Sequence, residues 1–170
     1  EGVGEFDRYR KLINKRRTSH WFETYRNQYE ALYFANELLE MEKRIGGVIK
    51  AETAHDLITA YTKEYYLMDY FYRKFYLHYD KVTDKDPFEK LAERIENTYT
   101  HWYLNELSIK WSAAVQEEML EDYSLVGIRQ QKDFYKDIVY PFTGNNERVF
   151  VIISDALRYE AAKELLNLIN

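Results

Sequence analysis

The sequence predicts a mainly α chain: a long antiparallel helical hairpin with flanking helices, followed by one strand–helix unit. Three observations predict it. Only 6 glycines and 2 prolines punctuate 170 residues, so long helices are expected. Apolar and tyrosine side chains recur in steps of four and three from Ala54 to Val82, the spacing of a helical seam. Near the end, residues 149–153 (Val-Phe-Val-Ile-Ile) form a short β-branched run behind the turn cluster Gly144, Asn145, Asn146, which reads as a buried strand.

A short helix is expected over residues 7–17. A second starts near Thr18 or Ser19 as N-cap and carries Trp21, Phe22, Tyr25, Tyr29, Leu32, Ala35 and Leu39 inward. It stops at Gly46 and Gly47, since glycine takes the left-handed conformation cheaply. Thr53 is a natural N-cap for the third helix, whose seam is Ala54, Ile58, Tyr61, Tyr65, Met68, Tyr72, Phe75, Tyr79 and Val82. Asp84 to Pro87 breaks it. The fourth opens with Asp86 as cap, Pro87 at the first helical position and Glu89 completing a capping box. Phe88, Ala92, Ile95, Tyr99, Trp102, Ile109, Ala113 and Leu120 continue its apolar face, with Glu106 and Gln116 interrupting. The short connection at 83–86 implies that helices three and four lie antiparallel, each on the order of 50 Å long at ~1.5 Å per residue. One more helix is expected at 129–139, ended before Pro141. After the strand, Ala161, Ala162, Leu165, Leu166 and Ile169 give the last helix its apolar positions.

Composition narrows the function classes. With no cysteine, disulfides and thiolate zinc sites are excluded, which fits a cytoplasmic location. No apolar run approaches the roughly 20 residues that span a bilayer, so no membrane role is expected. The chain begins at Glu1 and stops one helix after its clearest strand, as a piece of a longer protein would. A net charge of −5 argues against nucleic-acid binding by the whole surface. Charge is uneven, however: residues 1–20 hold Arg8, Arg10, Lys11, Lys15, Arg16 and Arg17 against three acids. That segment is either a solvated helix or a patch for nucleic acid or phosphate centred on Arg16 and Arg17.

The 17 tyrosines could stack on unpaired bases, but most fall on the helical seams, where the ring packs and the hydroxyl reaches the rim. His20, His55, His78 and His101 are far apart, and none has a second ligand at helical spacing. Ser154 lacks a neighbouring base and the glycine elbow of a nucleophile. Asp155 closes the apolar run, where α/β proteins present an acid at the carboxyl edge of a sheet. It reads equally as a ligand or as the N-cap of the last helix.

The run from Val149 to Glu160, ending Ser154-Asp155-Ala156-Leu157-Arg158-Tyr159-Glu160, resembles the opening motif of the PglZ family. That family is a branch of the alkaline phosphatase superfamily, and the likeness is strongest to the type A phosphatases of BREX phage-exclusion systems. Residues 16–21, 61–76, 105–111 and 133–142 fit the same resemblance, which therefore spans nearly the whole chain. It implies a helical region at 1–145 and, at 146–170, the start of an alkaline-phosphatase-like α/β domain. It also implies that Asp155 is a ligand of a divalent metal, zinc or manganese, for phosphate-ester hydrolysis in bacterial phage defence. In that chemistry two metals activate a hydroxyl nucleophile and neutralise the phosphoryl oxygens. Other phage-exclusion proteins are the implied partners, with DNA and a second copy of the chain, joined through the terminal strand or helices, as further ones.

The sequence departs from the family pattern in one large respect. The superfamily needs a serine or threonine nucleophile on a later helix and further Asp and His ligands. Here Arg16, Ala51, Lys74 and Asn97 stand four before the histidines, and no Asp directly precedes a His. Catalytic residues are thus expected outside this chain, which by itself should bind no metal and be inert. The competing reading is a non-enzymatic helical module that docks protein partners or nucleic acid. Arg158 and Glu160 match the motif without an assigned role beyond an ion pair or a helix-terminus contact. A lone apolar strand has unpaired edges, so residues 149–153 are expected to pair with a second copy or pack on the helices.

Overall fold

The computed structural model describes residues 3–145 and 147–170. It is mainly helical, as expected. Helix α1 is Val3–Arg17 and α2 is Arg26–Ile45. Helix α3 runs over 54–79, with a π-helical stretch, Tyr61–Tyr65, between two α-helical ones. Helix α4 runs over 86–118, opening with a 3₁₀ turn and containing a longer π-helical stretch, Asn97–Leu104. A short helical segment α5 covers 131–143, and α6 is Tyr159–Ile169.

Helices α3 and α4 form the expected antiparallel hairpin. The Ala54 N–H at the start of α3 donates to the Glu118 carboxylate at the end of α4 (3.1 Å to Oε1). Farther along, the Tyr103 hydroxyl donates to the Tyr65 carbonyl (3.0 Å), and the Tyr72 hydroxyl to Glu96 (2.8 Å). Helix α2 packs along α3 and is antiparallel to it, as the Arg44–Glu64 ion pair (2.9 Å) and the Asn27–His78 contact (3.1 Å) show at its two ends. Helix α1 lies across the outer face of α2, tied by Arg10 to Glu37 and Glu40 and by Arg17 to Glu30. The core these helices enclose includes Phe34, Leu38, Met41, Leu57, Met68, Phe75, Ile95, Tyr99 and Tyr103.

Several boundaries follow the sequence. Thr53 caps α3 by accepting from the Asp56 N–H (3.0 Å). Gly46 ends α2 at φ 79°, its N–H bonded to the Glu42 carbonyl, the left-handed turn only glycine adopts without strain.

Others differ. Thr18 and Ser19 do not cap α2: their hydroxyls donate back to the Lys15 and Arg16 carbonyls (2.9 and 2.7 Å), closing α1 instead. Residues 18–25 are turns, so Trp21 and Tyr25 are exposed rather than inward. Helix α2 buries Ala31, Phe34, Ala35, Leu38, Met41 and Ile45, while Tyr29, Leu32 and Leu39 face α1. It sits between two helices, and a single stripe could not serve both. The capping box at α4 does not form: no side chain caps the turn, and Asp84 accepts from the Asp86 N–H instead (3.3 Å). Pro141 lies inside the last turn of α5 rather than after it.

The apolar face of α4 shifts by one residue beyond its π-helical stretch. Tyr103 and Ala114 are buried where Trp102 and Ala113 were expected, and Ile109 and Leu120 are exposed. Each wide turn of a π-helix holds an extra residue, so every side chain after it is rotated relative to an unbroken α-helix.

The expected strand is not formed. Residues 147–153 have no regular structure, and Phe150, Ile152 and Ile153 are almost fully exposed, Ile152 at 92%. A strand exists only through a partner's hydrogen bonds, and none of the described residues offers an edge. Within the chain the segment therefore does not pack on the helices. Asn146 of the expected turn cluster lies outside the described residues. Helix α6 also departs from expectation. It docks on α3 through its first turns, burying Glu160, while Leu165, Leu166, Leu168 and Ile169 stay exposed.

Candidate functional site

The motif residues 154–160 lie where the irregular segment enters α6. Ser154 and Asp155 are exposed, Asp155 and Ala156 forming a turn in which Ala156 takes φ 55°, a conformation alanine rarely adopts. Asp155 does not cap the helix: α6 starts at Tyr159 with Arg158 at the cap position and no side-chain cap bond. Of the two readings of Asp155, the cap is absent and the carboxylate stands free.

Arg158 and Glu160 turn the other way, into the helical hairpin. The centre of their contact is Asp69 on α3, only 4% exposed. Its Oδ2 accepts from the Tyr61 hydroxyl (2.6 Å) and its Oδ1 from the Tyr99 hydroxyl (2.7 Å). These tyrosines come from the two π-helical stretches, one in each arm of the hairpin. Burial and the hydrogen bond to Asp69 together push both phenols well above their ordinary acidity range. They remain neutral donors to the carboxylate, which replaces the water Asp69 has lost.

The Arg158 guanidinium closes this cluster, 3.4 Å from Asp69 Oδ1 and 3.3 Å from the Tyr99 hydroxyl oxygen. Its Nε lies 3.3 Å from Glu160 Oε1, and Arg73 Nε lies 3.5 Å from the same oxygen. Neither Glu160 oxygen makes a well-formed hydrogen bond, so the two arginines hold this buried carboxylate by charge alone. Arg73 and Lys74 also bind Glu164 at 2.6 and 2.7 Å. The Lys74 hydrogen bond, followed by that of Arg73, holds the Glu164 carboxyl below its ordinary range. Tyr159 adds a bond from its hydroxyl to the Thr62 carbonyl (3.1 Å). The unassigned motif residues thus form an ion-pair contact at the start of a helix.

Sequence reading missed Asp69, Tyr61 and Tyr99 as a unit. Tyr61 and Tyr99 read as seam positions by their spacing, and Asp69 is one residue beside the seam position Met68. An acid next to Met68 in an otherwise apolar and aromatic stretch was the available signal.

The other candidates are placed as follows. Arg17 is committed: it makes a two-pronged pair with Glu30 (2.9 and 2.6 Å), with its carbon over the Tyr33 ring at 4.4 Å. Arg16 is exposed beside an apolar groove of about 450 Å³ between α1 and α2, lined by Phe6, Leu12, Leu32 and Leu39 among others. His78 lies flat on Phe34, ring centroids 5.9 Å apart, while His20, His55 and His101 are exposed. Among the described residues no three His, Asp or Glu side chains converge to hold a metal ion. The residues present therefore do not make a metal centre by themselves; Asp155 can offer one carboxylate. No described helix is long and apolar enough to cross a membrane.

Relatives give this arrangement its context. Residues 134–170 match the BREX system PglZ alkaline phosphatase-like domain. Over 168 residues, 99% of the chain, the sequence is 45% identical to the alkaline phosphatase-like protein PglZ of Bacillus cereus (strain H3081.97). Over nearly its whole length the chain is thus similar to PglZ proteins. It is also 35% identical over 170 residues, 95% of the chain, to the alkaline phosphatase-like protein BrxZ of Escherichia coli O9:H4 (strain HS). It spans about a fifth of the length of each of these relatives, 20% in both cases. No solved structure matches the chain.

Proposed function

We propose that this chain is the helical region and opening strand–helix unit of a PglZ-type phosphatase or phosphodiesterase of bacterial phage defence. Residues 1–145 form its scaffold and 146–170 begin the α/β domain, where 149–153 becomes a strand once neighbouring strands are present. The observation that carries this reading is the division of labour within one motif. Arg158 and Glu160 are spent on docking, while Asp155, three residues earlier, points no bond at the chain and is left exposed. An acid kept free at the end of an apolar run, in a chain with alkaline phosphatase-like relatives, is suited to serve a site assembled from elsewhere.

In this reading Asp155 supplies one ligand to a zinc or manganese site whose other ligands and nucleophile lie outside these residues. Such a metal stabilises charge on the phosphoryl oxygens. The chain alone is then inert, and other phage-exclusion proteins are its partners. The test uses the longer protein carrying this chain, with hydrolysis of a chromogenic phosphodiester followed in added zinc or manganese. Asp155→Ala is expected to abolish turnover while the circular dichroism spectrum stays unchanged. Undiminished turnover in that variant would overturn the assignment.

A further inference from the structure

We propose that Asp69 is a positioning residue for the Asp155 turn: with Tyr61 and Tyr99 it grips Arg158 and so fixes residues 154–158 on the helical hairpin. This rests on the reading that the Asp155 carboxylate is used in hydrolysis. The grip itself stands on geometry alone.

The argument begins with a cost. A carboxylate buried in mid-helix is unfavourable unless it is hydrogen-bonded and paired. Here both oxygens are filled by hydroxyls at 2.6 and 2.7 Å, and the nearest positive charge is Arg158 at 3.4 Å. Only the carboxylate is buried; the Arg158 side chain is 57% exposed, so the pair adds little net stability. What it supplies is register. The tyrosines come from the two π-helical stretches, Tyr61–Tyr65 and Asn97–Leu104. π-helical turns depart from the favoured helix geometry and mark sites where a side chain is aimed for a purpose. Both arms of the hairpin depart from regular helix at the level of the same carboxylate.

The tether is short. Ala156 and Leu157 alone separate Asp155 from Arg158, so the two Cα atoms can be at most roughly 11 Å apart at ~3.6 Å per residue. Ala156 in the left-handed region at φ 55° narrows the turn's freedom further. Arg158 is held on its other side by Glu160, in the first turn of α6. Asp155 is thereby held between an irregular segment and a guanidinium fixed on three points.

The test uses Asp69→Asn, which keeps the shape and removes the charge. In the 170-residue chain, backbone amides of 155–169 are expected to exchange with solvent about tenfold faster, while those of α2 and α3 keep their protection. Adding Arg158→Gln, which also weakens the hold on Glu160, to Asp69→Asn should speed exchange by clearly less than the product of the two single effects, because both remove the Asp69–Arg158 contact. In the longer protein, Asp69→Asn should lower kcat about tenfold with KM nearly unchanged at temperatures well below its melting transition, a pattern that loss of stability alone would not give. Tyr99→Phe keeps the ring stacked on Tyr72 (3.8 Å) and removes only the hydroxyl between Asp69 and Arg158. It should give the same signature, smaller, and it decides the question if Asp69→Asn does not fold. Wild-type exchange over 155–169, or effects of the two substitutions that multiply, would overturn the proposal. If Asp155→Ala leaves hydrolysis intact, the functional reading falls, while the exchange result still decides whether the grip exists.

Discussion

Tyrosine hydroxyls do in this chain what water does at a surface: they satisfy polar atoms that the helices bury. Tyr103 is the deepest, fully enclosed, and its hydroxyl donates to the Tyr65 carbonyl across the hairpin. Burial drives its phenol far above the usual range, so it is only ever a neutral donor. Tyr103→Phe keeps the ring and leaves that carbonyl without its partner, which should cost about 1 kcal/mol of stability. Urea unfolding would show it as a lower midpoint at unchanged slope; an unaltered midpoint would mean that the bond contributes nothing. Glu96 is the counterpart on the acceptor side. Thr100 foremost, then Tyr72 and Tyr76, donate to it and hold its carboxyl below the ordinary range.

At the scale of the element, the π-helical stretches decide what each helix buries. A regular α-helix through residues 97–104 would turn Ile109 and Ala113 inward; the actual helix exposes Ile109 (58%) and buries Ala114 (3%). A substitution pair reads this register directly. Ala114→Leu forces extra volume into a packed site and should cost about 1–3 kcal/mol, whereas Ile109→Ala should stay within about 0.5 kcal/mol. The reverse order, measured by thermal unfolding of both variants, would show that the helix follows the unbroken periodicity. The apolar run at 149–153 makes the complementary point. Its sequence suits a sheet, yet β structure needs a second strand to bond with, and no strand forms among the described residues.

Over the whole molecule, acid should act in one direction. Burial, the largest influence, pulls the His78 pKa below its ordinary value of 6.5, so the unfolded chain takes up that proton first. Its contribution to stability is complete above 6.5 and is lost as pH falls through the lower, folded value. Glu96 and Glu164, both lowered from 4.5, follow the same sign at more acid pH: their stabilisation is present above 4.5 and is lost below it. The melting temperature should therefore fall in two stages on acidification. His78→Gln should remove the first stage and leave the second. A melting temperature that rises as pH drops below 6.5 would contradict the burial of His78.

The sequence by itself determined the helical class, the antiparallel hairpin, the Thr53 and Gly46 boundaries and the family motif. These are legible because they depend on local periodicity, on the conformations that glycine allows and on residues contiguous in the chain. Tertiary structure alone decided that Thr18 and Ser19 close one helix rather than open the next, and that the face of α4 slips by one residue. It alone brought Asp69, Tyr61, Tyr99, Arg158 and Glu160 together. The last of these depends on which groups meet across helices distant in sequence. A buried carboxylate finds its partners only when packing has removed the water that would otherwise solvate it.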